Sequence, residues 1–302
     1  MTEIAERTCV VTGASSGIGL ALSHALARRG TRVAMVCRDG PLGERVRGDV
    51  IDASGNPFVD LWIADLSFQR SVHELAQRLR RRYPRIDVLV NNAGAIYSVR
   101  RLSRDGIEMH FATNYLAPFL LSNLLRDALE SSDDGRILNV TSALYAFGRI
   151  RLDDLGFERR WYYAPRAYAQ SKRALTLFTF ELSRRLRGTG VSANCVDPGL
   201  VRTRIGEKSV AGMQRLAWRL LKPFGRSADR AAQPIVRLAL SDDVKGISGR
   251  CFRSGRADEI PGATKHAEMA HRLWDASRIL VRNISVTSVL DSDSIAVDDT
   301  LR

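Results

Sequence analysis

The chain has 302 residues, 45% hydrophobic and 26% charged, enough apolar material for a sizeable core, which excludes disorder over most of its length. Its net charge of +13 invites a nucleic-acid reading, but the arginines recur at expected helix ends and solvent faces ("RRLRG", "RLRRRYPR") instead of clustering, so no nucleic-acid partner is expected.

In chain order, short apolar runs rich in β-branched residues read as strands: "TCVVTG", "RVAMVCR", "FVDLWIAD", "IDVLVNNAG", "RILNVTS", "VSANCVDPG" and "ISGRCFR". Segments of helical period lie near 17–29, 67–83, 103–130, 165–187 and 226–240. Such alternation predicts an α/β fold, a parallel sheet covered by helices on both faces, with ligands at the edge where the strands end.

The first of these strands runs into "TGASSGIG", where Gly13, Gly17 and Gly19 permit a tight turn and let a pyrophosphate approach the N–H groups of the following helix. The second ends at "VCRDG". An acid there accepts hydrogen bonds from a free ribose 2′-hydroxyl, whereas an arginine attracts a 2′-phosphate, so Arg38 predicts NADP(H) in preference to NAD(H). Asp39, one step later, is the competing acid, and the turn supplies Ser16 in place of a second basic residue. Asp65, ending the third strand, suits either an adenine amino group or the cap of a helix starting near Ser67. "NNAG" at 91–94 ends the fourth with small and amide side chains that would not collide with a nucleotide.

Within the next helix, Asn114 in "ATNYLAPF" is an amide among apolar residues, so it either stitches the helix to a neighbour or holds a water beside Lys172. Ser142 ends the fifth strand. Pro165 suits the first turn of a helix on which Tyr168 and Lys172, in "YAQSK", share one face. Lys172 is the only lysine before Lys208, although Lys and Arg together number 46. A compact ammonium near a phenol favours the phenolate, so the pair predicts a general acid/base with its tyrosine pKa brought down, and Ser142 to steady a substrate oxygen. After the sixth strand, "DPGLVRT" makes a turn at Pro198 and Gly199 and offers Thr203 to a carboxamide.

Leu144, Phe147, Trp161 and residues 204–224 are candidates to line an apolar pocket, with core packing as the alternative. The basic, amphipathic stretch 209–224 reads as a lid; a surface helix and a peripheral membrane contact are the alternatives. Residues 281–302 turn to Ser and Asp without helical period, so the expected division is a domain over 1–280 and a poorly ordered tail, or a terminal hairpin, over 281–302. Cys9, Cys37, Cys195 and Cys251 form no C-x-x-C pair and read as buried thiols in a reducing, cytoplasmic compartment. The N-terminus has no basic segment followed by an apolar run, so no signal peptide is expected, and Met109–Leu125 is too polar to span a membrane. No ligand cluster suits metal catalysis. A serine hydrolase lacks its G-x-S-x-G turn, and none of His24, His73, His110, His266 or His271 follows a late strand.

Taken together, "TGASSGIG", Asp65, "NNAG", Asn114, Ser142, "YAQSK" and "PG" resemble, in order and approximate spacing, the short-chain dehydrogenase/reductase family over about residues 7–255. The resemblance implies a single Rossmann-type domain with a mostly parallel seven-stranded sheet, hydride transfer between a nicotinamide cofactor and an alcohol or carbonyl, and usually a homodimer or homotetramer. It implies the tetrad Asn114, Ser142, Tyr168 and Lys172. Cofactor contacts would fall on Gly13, Ser15, Ser16, Gly17, Ile18 and Gly19 of the turn, then on Arg38, Asp65 and Leu66. Asn91, Ala93 and Gly94 would form a wall, and Tyr168, Lys172, Pro198, Gly199, Val201 and Thr203 would meet the ribose and nicotinamide. "VCRD", "SGRCF" and "RLWDAS" look like the retinol dehydrogenase and WW-domain oxidoreductase-like branch, implying retinoid-, steroid- or lipid-aldehyde-like substrates. A non-catalytic nucleotide-binding sensor or scaffold on the same fold is the alternative function.

Overall fold

The computed structural model describes residues 7–202, 225–253, 256–259 and 266–292. Each of the seven apolar runs forms a strand: β1 (Thr8–Thr12), β2 (Arg32–Cys37), β3 (Val59–Ile63), β4 (Val88–Asn91), β5 (Gly135–Val140), β6 (Val191–Asp197) and β7 (Arg250–Arg253). All pair in parallel, and an eighth strand, β8 (Arg256–Glu259), adds to β7 antiparallel. The sheet order is β3-β2-β1-β4-β5-β6-β7-β8, eight strands where the family resemblance implies seven. "RADE" escapes a sequence reading because it has no apolar side chain larger than alanine. Its place is set by backbone pairing, and charged side chains suit an exposed edge.

Strand order reverses between β2 and β4, the two neighbours of β1, which opens a crevice at the carboxyl ends of β1 and β4. On one face pack α3 (Gln69–Arg82), α5 (Ala117–Leu124) and α7 (Ala164–Arg185), sharing a core of Val10, Leu79, Leu89, Phe119 and Phe178. On the other lie α1 (Gly17–Ala27), α2 (Gly40–Ser54) and α8 (Ala228–Leu240), against Val11, Leu22, Val46, Val90 and Ile235. Short helices among the described residues include α4 (Met109–Phe111), joined to α5 by a π-helical turn over Ala112–Leu116, and α6 (Arg126–Glu130). The predicted helix over 103–130 therefore starts late and is broken, because Leu102 and Glu108 first pair as an isolated bridge.

Helical period alone predicts nothing between β2 and β3, since "GPLGERVRGDVIDAS" carries three glycines and a proline. α2 forms there nevertheless. Asp39 caps it by accepting from Leu42 N–H at 3.0 Å, Pro41 occupies its first turn, and Gly55 closes it in the left-handed region. Tight packing explains Gly43: a Cβ would lie 2.9 Å from Leu61 Cδ1.

The last helix crosses the point where the composition changes. α9 (Ala267–Ser292) runs continuously past residue 281, where the composition changes, so the backbone is helical through Ser292 and no hairpin starts there. Its first half supplies the reason. Trp274 packs on Phe119 and Phe178, with centroids 5.0 and 5.7 Å away, and Ser277 Oγ meets Tyr115 Oη at 2.6 Å. An anchored start propagates helix more readily than the local composition suggests. Among the described residues, no helix is long and apolar enough to cross a membrane.

Candidate active site

The turn after β1 is built by packing that only glycine permits. Gly13 sits at φ +67°, and a Cβ on Gly19 would come 2.3 Å from the Gly13 carbonyl oxygen and 2.6 Å from Asn92 Nδ2. Ser16 is the N-cap of α1, yet its side chain makes no capping bond and the first turn holds no acid. The helix therefore presents uncapped N–H groups, a site that suits a pyrophosphate. Ile18 packs partly buried against the adjoining core, and the Ser15 hydroxyl lies close enough to the Cys37 thiol at the end of β2 to act on its pKa. All four cysteines are free and buried, and burial pushes Cys37 up to about 11, so its thiol stays protonated. Gly19→Ala is expected to cost about 1–3 kcal/mol in stability and to weaken dinucleotide binding at least tenfold. Calorimetry of the variant with and without NADPH checks both.

Nothing local marks Thr12 or Asn92, yet they lock the crevice. Thr12 Oγ1 accepts the N–H groups of Asn92 and Ala93, each at 3.0 Å, and Asn92 Nδ2 donates to the Thr12 carbonyl at 2.8 Å. Asn91 turns the other way. Its amide donates to Ser122 Oγ at 3.1 Å and Asn139 Oδ1 at 2.8 Å inside the core, so the expected wall is not made by its side chain; Ala93 and Gly94 are the partly exposed residues there. Asp65 does not cap α3, whose N-cap is Phe68. Its Oδ1 accepts from Ser67 N–H and Oγ at 3.0 and 2.7 Å in a local turn, while Leu66 packs on the core. At the tip of β2, Arg38 is exposed, whereas the Asp39 carboxylate is held by its cap of α2.

Three successive residues at the end of β5 tie α7 to the sheet edge. Asn139 Nδ2 donates to Thr179 Oγ1 at 2.8 Å, Lys172 Nζ to the Val140 carbonyl at 2.9 Å, and Thr141 Oγ1 meets Thr176 Oγ1 at 3.0 Å. Tyr168 and Lys172 stand on one face as expected, the Nζ 5.9 Å from the phenol ring centroid, and both are buried. Ser142 Oγ accepts from Leu144 N–H at 3.4 Å, capping a 3₁₀ turn over Ala143–Phe147, and its hydroxyl lies close enough to the Tyr168 phenol to act on its pKa.

The electrostatics differ from the expectation that lysine brings the tyrosine down. Burial pushes Tyr168 up to about 12, against which the nearby Ser142 hydroxyl pulls down. Burial likewise drops Lys172 to about 8. Helical spacing puts the two groups together, but spacing contains no desolvation, and burial is the largest influence on each. At neutral pH the phenol keeps its proton.

Asn114 sits fully buried in the π-helical turn and stitches elements together, the first of its two sequence alternatives. Its Oδ1 accepts Ala95 N–H at 2.7 Å, and its Nδ2 donates to the Ala95 carbonyl at 3.1 Å and Ser171 Oγ at 3.0 Å. Beyond β6, Gly199 takes φ +74° and donates its N–H to Asp197 Oδ1 at 3.0 Å, completing the turn started by Pro198. Val201 bridges to Arg226, so both flanks of the intervening segment are held together. Thr203 and the stretch 209–224 lie outside the described residues.

Around this edge, Leu144, Phe147, Trp161 and Leu200 are exposed, Phe147 and Trp161 by 78% and 85%, so core packing does not account for them. Among the described residues, no group of His, Cys, Asp and Glu is placed to hold a metal ion.

The sequence profile of the short chain dehydrogenase family matches residues 7–214. Retinol dehydrogenase 13 of Mus musculus is 38% identical over 281 residues, covering 91% of this chain and 84% of its own. A Streptomyces sp. (strain C5) protein provisionally named daunorubicin C-13 ketoreductase is 40% identical over 275 residues, covering 91% and 92%. A Beutenbergia cavernae protein whose crystal structure carries NADP superposes with a TM-score of 0.65 at 31% identity, covering 83% of this chain and 95% of that one.

Proposed function

Because the chain belongs to the short-chain dehydrogenase family, in its retinol dehydrogenase-like branch, and is an NAD(P)-dependent oxidoreductase acting on CH–OH groups, we propose that it reduces or forms an apolar carbonyl with NADP(H), Tyr168 passing the proton. The observation that carries this is the meeting of Tyr168, Ser142 and Lys172 at the sheet edge beside the glycine turn. The uncapped start of α1 and the space kept by Gly13 and Gly19 suit a dinucleotide pyrophosphate. Arg38, with Asp39 held by its cap, suits a 2′-phosphate.

When bound, the nicotinamide supplies or accepts the hydride. The chain's own residues do the rest. Ser142 donates to or accepts from the substrate oxygen and orients it, and Tyr168 Oη gives that oxygen its proton in reduction or takes it in oxidation. Lys172 holds the end of β5 against α7 and adds positive charge beside the phenol. The exposed apolar rim of Leu144, Phe147, Trp161 and Leu200 favours retinoid-, steroid- or lipid-aldehyde-like bodies, in keeping with the names of the relatives.

The test is NADPH oxidation with a panel of retinal, a steroid ketone, a medium-chain aldehyde and daunorubicin. Turnover of at least one supports the reading; nanomolar NADPH binding with no turnover across the panel would favour a nucleotide-binding sensor. Cofactor choice has its own measurement. Arg38→Ser is expected to weaken NADPH binding by about tenfold to a hundredfold, the worth of a charge-assisted hydrogen bond of about 1.5–3 kcal/mol, with NADH binding unchanged. Tighter binding of NADH than NADPH by the unaltered protein would refute the role given to Arg38.

A further inference from the structure

One buried histidine joins three separate stretches of chain behind Tyr168. His110 has no exposed surface, and both its ring nitrogens are used. Nε2 accepts the Tyr97 N–H at 2.9 Å, which places the proton on Nδ1. That proton is donated to Glu108 Oε1 at 2.7 Å. Tyr162 Oη donates to the same oxygen at 3.0 Å, and Glu108 Oε2 accepts the Phe111 N–H at 2.9 Å. Burial alone would raise the Glu108 carboxyl, but these donors, His110 foremost, hold it below the usual carboxylate range. A buried charge satisfied this completely is a rigid hub.

The imidazole then meets the phenol. The His110 and Tyr168 rings lie edge to face, centroids 6.1 Å apart and planes at 79°. One helical turn further on, Asn114 makes a matching connection, gripping Ala95 as His110 grips Tyr97, and reaching α7 at Ser171 as His110 reaches it at Tyr168. The loop after β4 is thus fixed to the catalytic helix at two points by side chains on one helix face.

We infer that Glu108, His110 and Tyr162 form a positioning triad that sets where the Tyr168 phenol stands relative to the loop after β4, and so its alignment for proton transfer. The inference rests on the proton-donor reading of Tyr168. None of the three need touch substrate or cofactor. Alignment is worth this apparatus because a displacement of about 1 Å can cost on the order of 10²-fold in rate.

The experiment compares His110→Leu, His110→Gln and Tyr162→Phe with Tyr168→Phe as control. The assay uses NADPH and the fastest carbonyl of the panel, with rates expressed per NADPH-binding site. His110→Leu keeps bulk but removes donor and acceptor, and its kcat is expected to fall by about 10²-fold at nearly unchanged KM and NADPH affinity. His110→Gln restores one donor and one acceptor and should recover most of that loss. A structural role alone would lower thermal midpoint and NADPH binding together and leave kcat per site intact; that result overturns the inference. If His110→Leu does not fold, Tyr162→Phe decides: a several-fold fall in kcat per site supports the triad, and full kcat overturns it. Should Tyr168→Phe stay active, the fault lies with the proton-donor reading and not with the triad.

Discussion

Tyr168→Phe is expected to lower kcat by about 10²–10⁴-fold, the usual contribution of a general acid/base, while the NADPH dissociation constant stays within about twofold. The substitution deletes one oxygen. It keeps the buried ring and its edge contact with His110, so α7 and its bonds to β5 have no reason to move. Stopped-flow turnover and fluorescence titration of the same preparation separate the two effects; a variant that still turns over would remove Tyr168 from the chemistry. The raised phenol pKa adds a direction with pH. A group pushed up to about 12 holds its proton through the neutral range, so carbonyl reduction, which needs the proton, is expected to be level there. Alcohol oxidation needs the ionised phenol, so its rate should climb as pH rises toward 12. An oxidation rate that falls over the same range would contradict the assignment.

Lys172→Met is expected to abolish most turnover and yet stabilise the fold near neutral pH. Burial drops the lysine to about 8 from 10.5, so the folded protein binds this proton less tightly than the unfolded chain does. The sign follows. Above pH 10.5 the amine is neutral in both states and costs nothing through its charge; the penalty grows as pH falls from 10.5 to about 8 and is complete below that. At pH 7 it amounts to about 3 kcal/mol at most. Methionine removes the penalty but leaves the Val140 carbonyl without its donor, which returns about 1 kcal/mol. A net gain of about 1–2 kcal/mol should raise the thermal midpoint by a few degrees at pH 7, and the gain should vanish by about pH 10. A lower midpoint at pH 7 would mean that the bond to Val140 outweighs the burial of charge. Residues that serve chemistry at the expense of stability are common at active sites, and comparing turnover with thermal midpoint tests whether this lysine is one.

Several features were legible because the cause is local. Seven strands could be read because a parallel strand covered on both faces must be apolar throughout, and the glycine turn because Gly13 and Gly19 are placed by steric limits of the backbone itself. "YAQSK" put phenol and amine on one face because helix geometry is local. α2 was hidden because three glycines and a proline lower its helical signal, and the need for one of them, Gly43, comes from a distant residue, Leu61. β8 and α9 owe their positions to partners, β7 and the rings of Phe119 and Phe178.

The site divides the same way. By itself the sequence indicated which chemical groups stand at the carboxyl ends of strands and on one face of a helix, because strand positions and helix phase follow from residue pattern. Only the tertiary structure decided how those groups behave: Asn91 turned into the core, the phenol raised by burial, and His110 gathering Tyr97 and Tyr162 from separate stretches of chain. The physical reason is that desolvation and hydrogen-bond satisfaction depend on what surrounds a group in space, and no spacing along the chain encodes it.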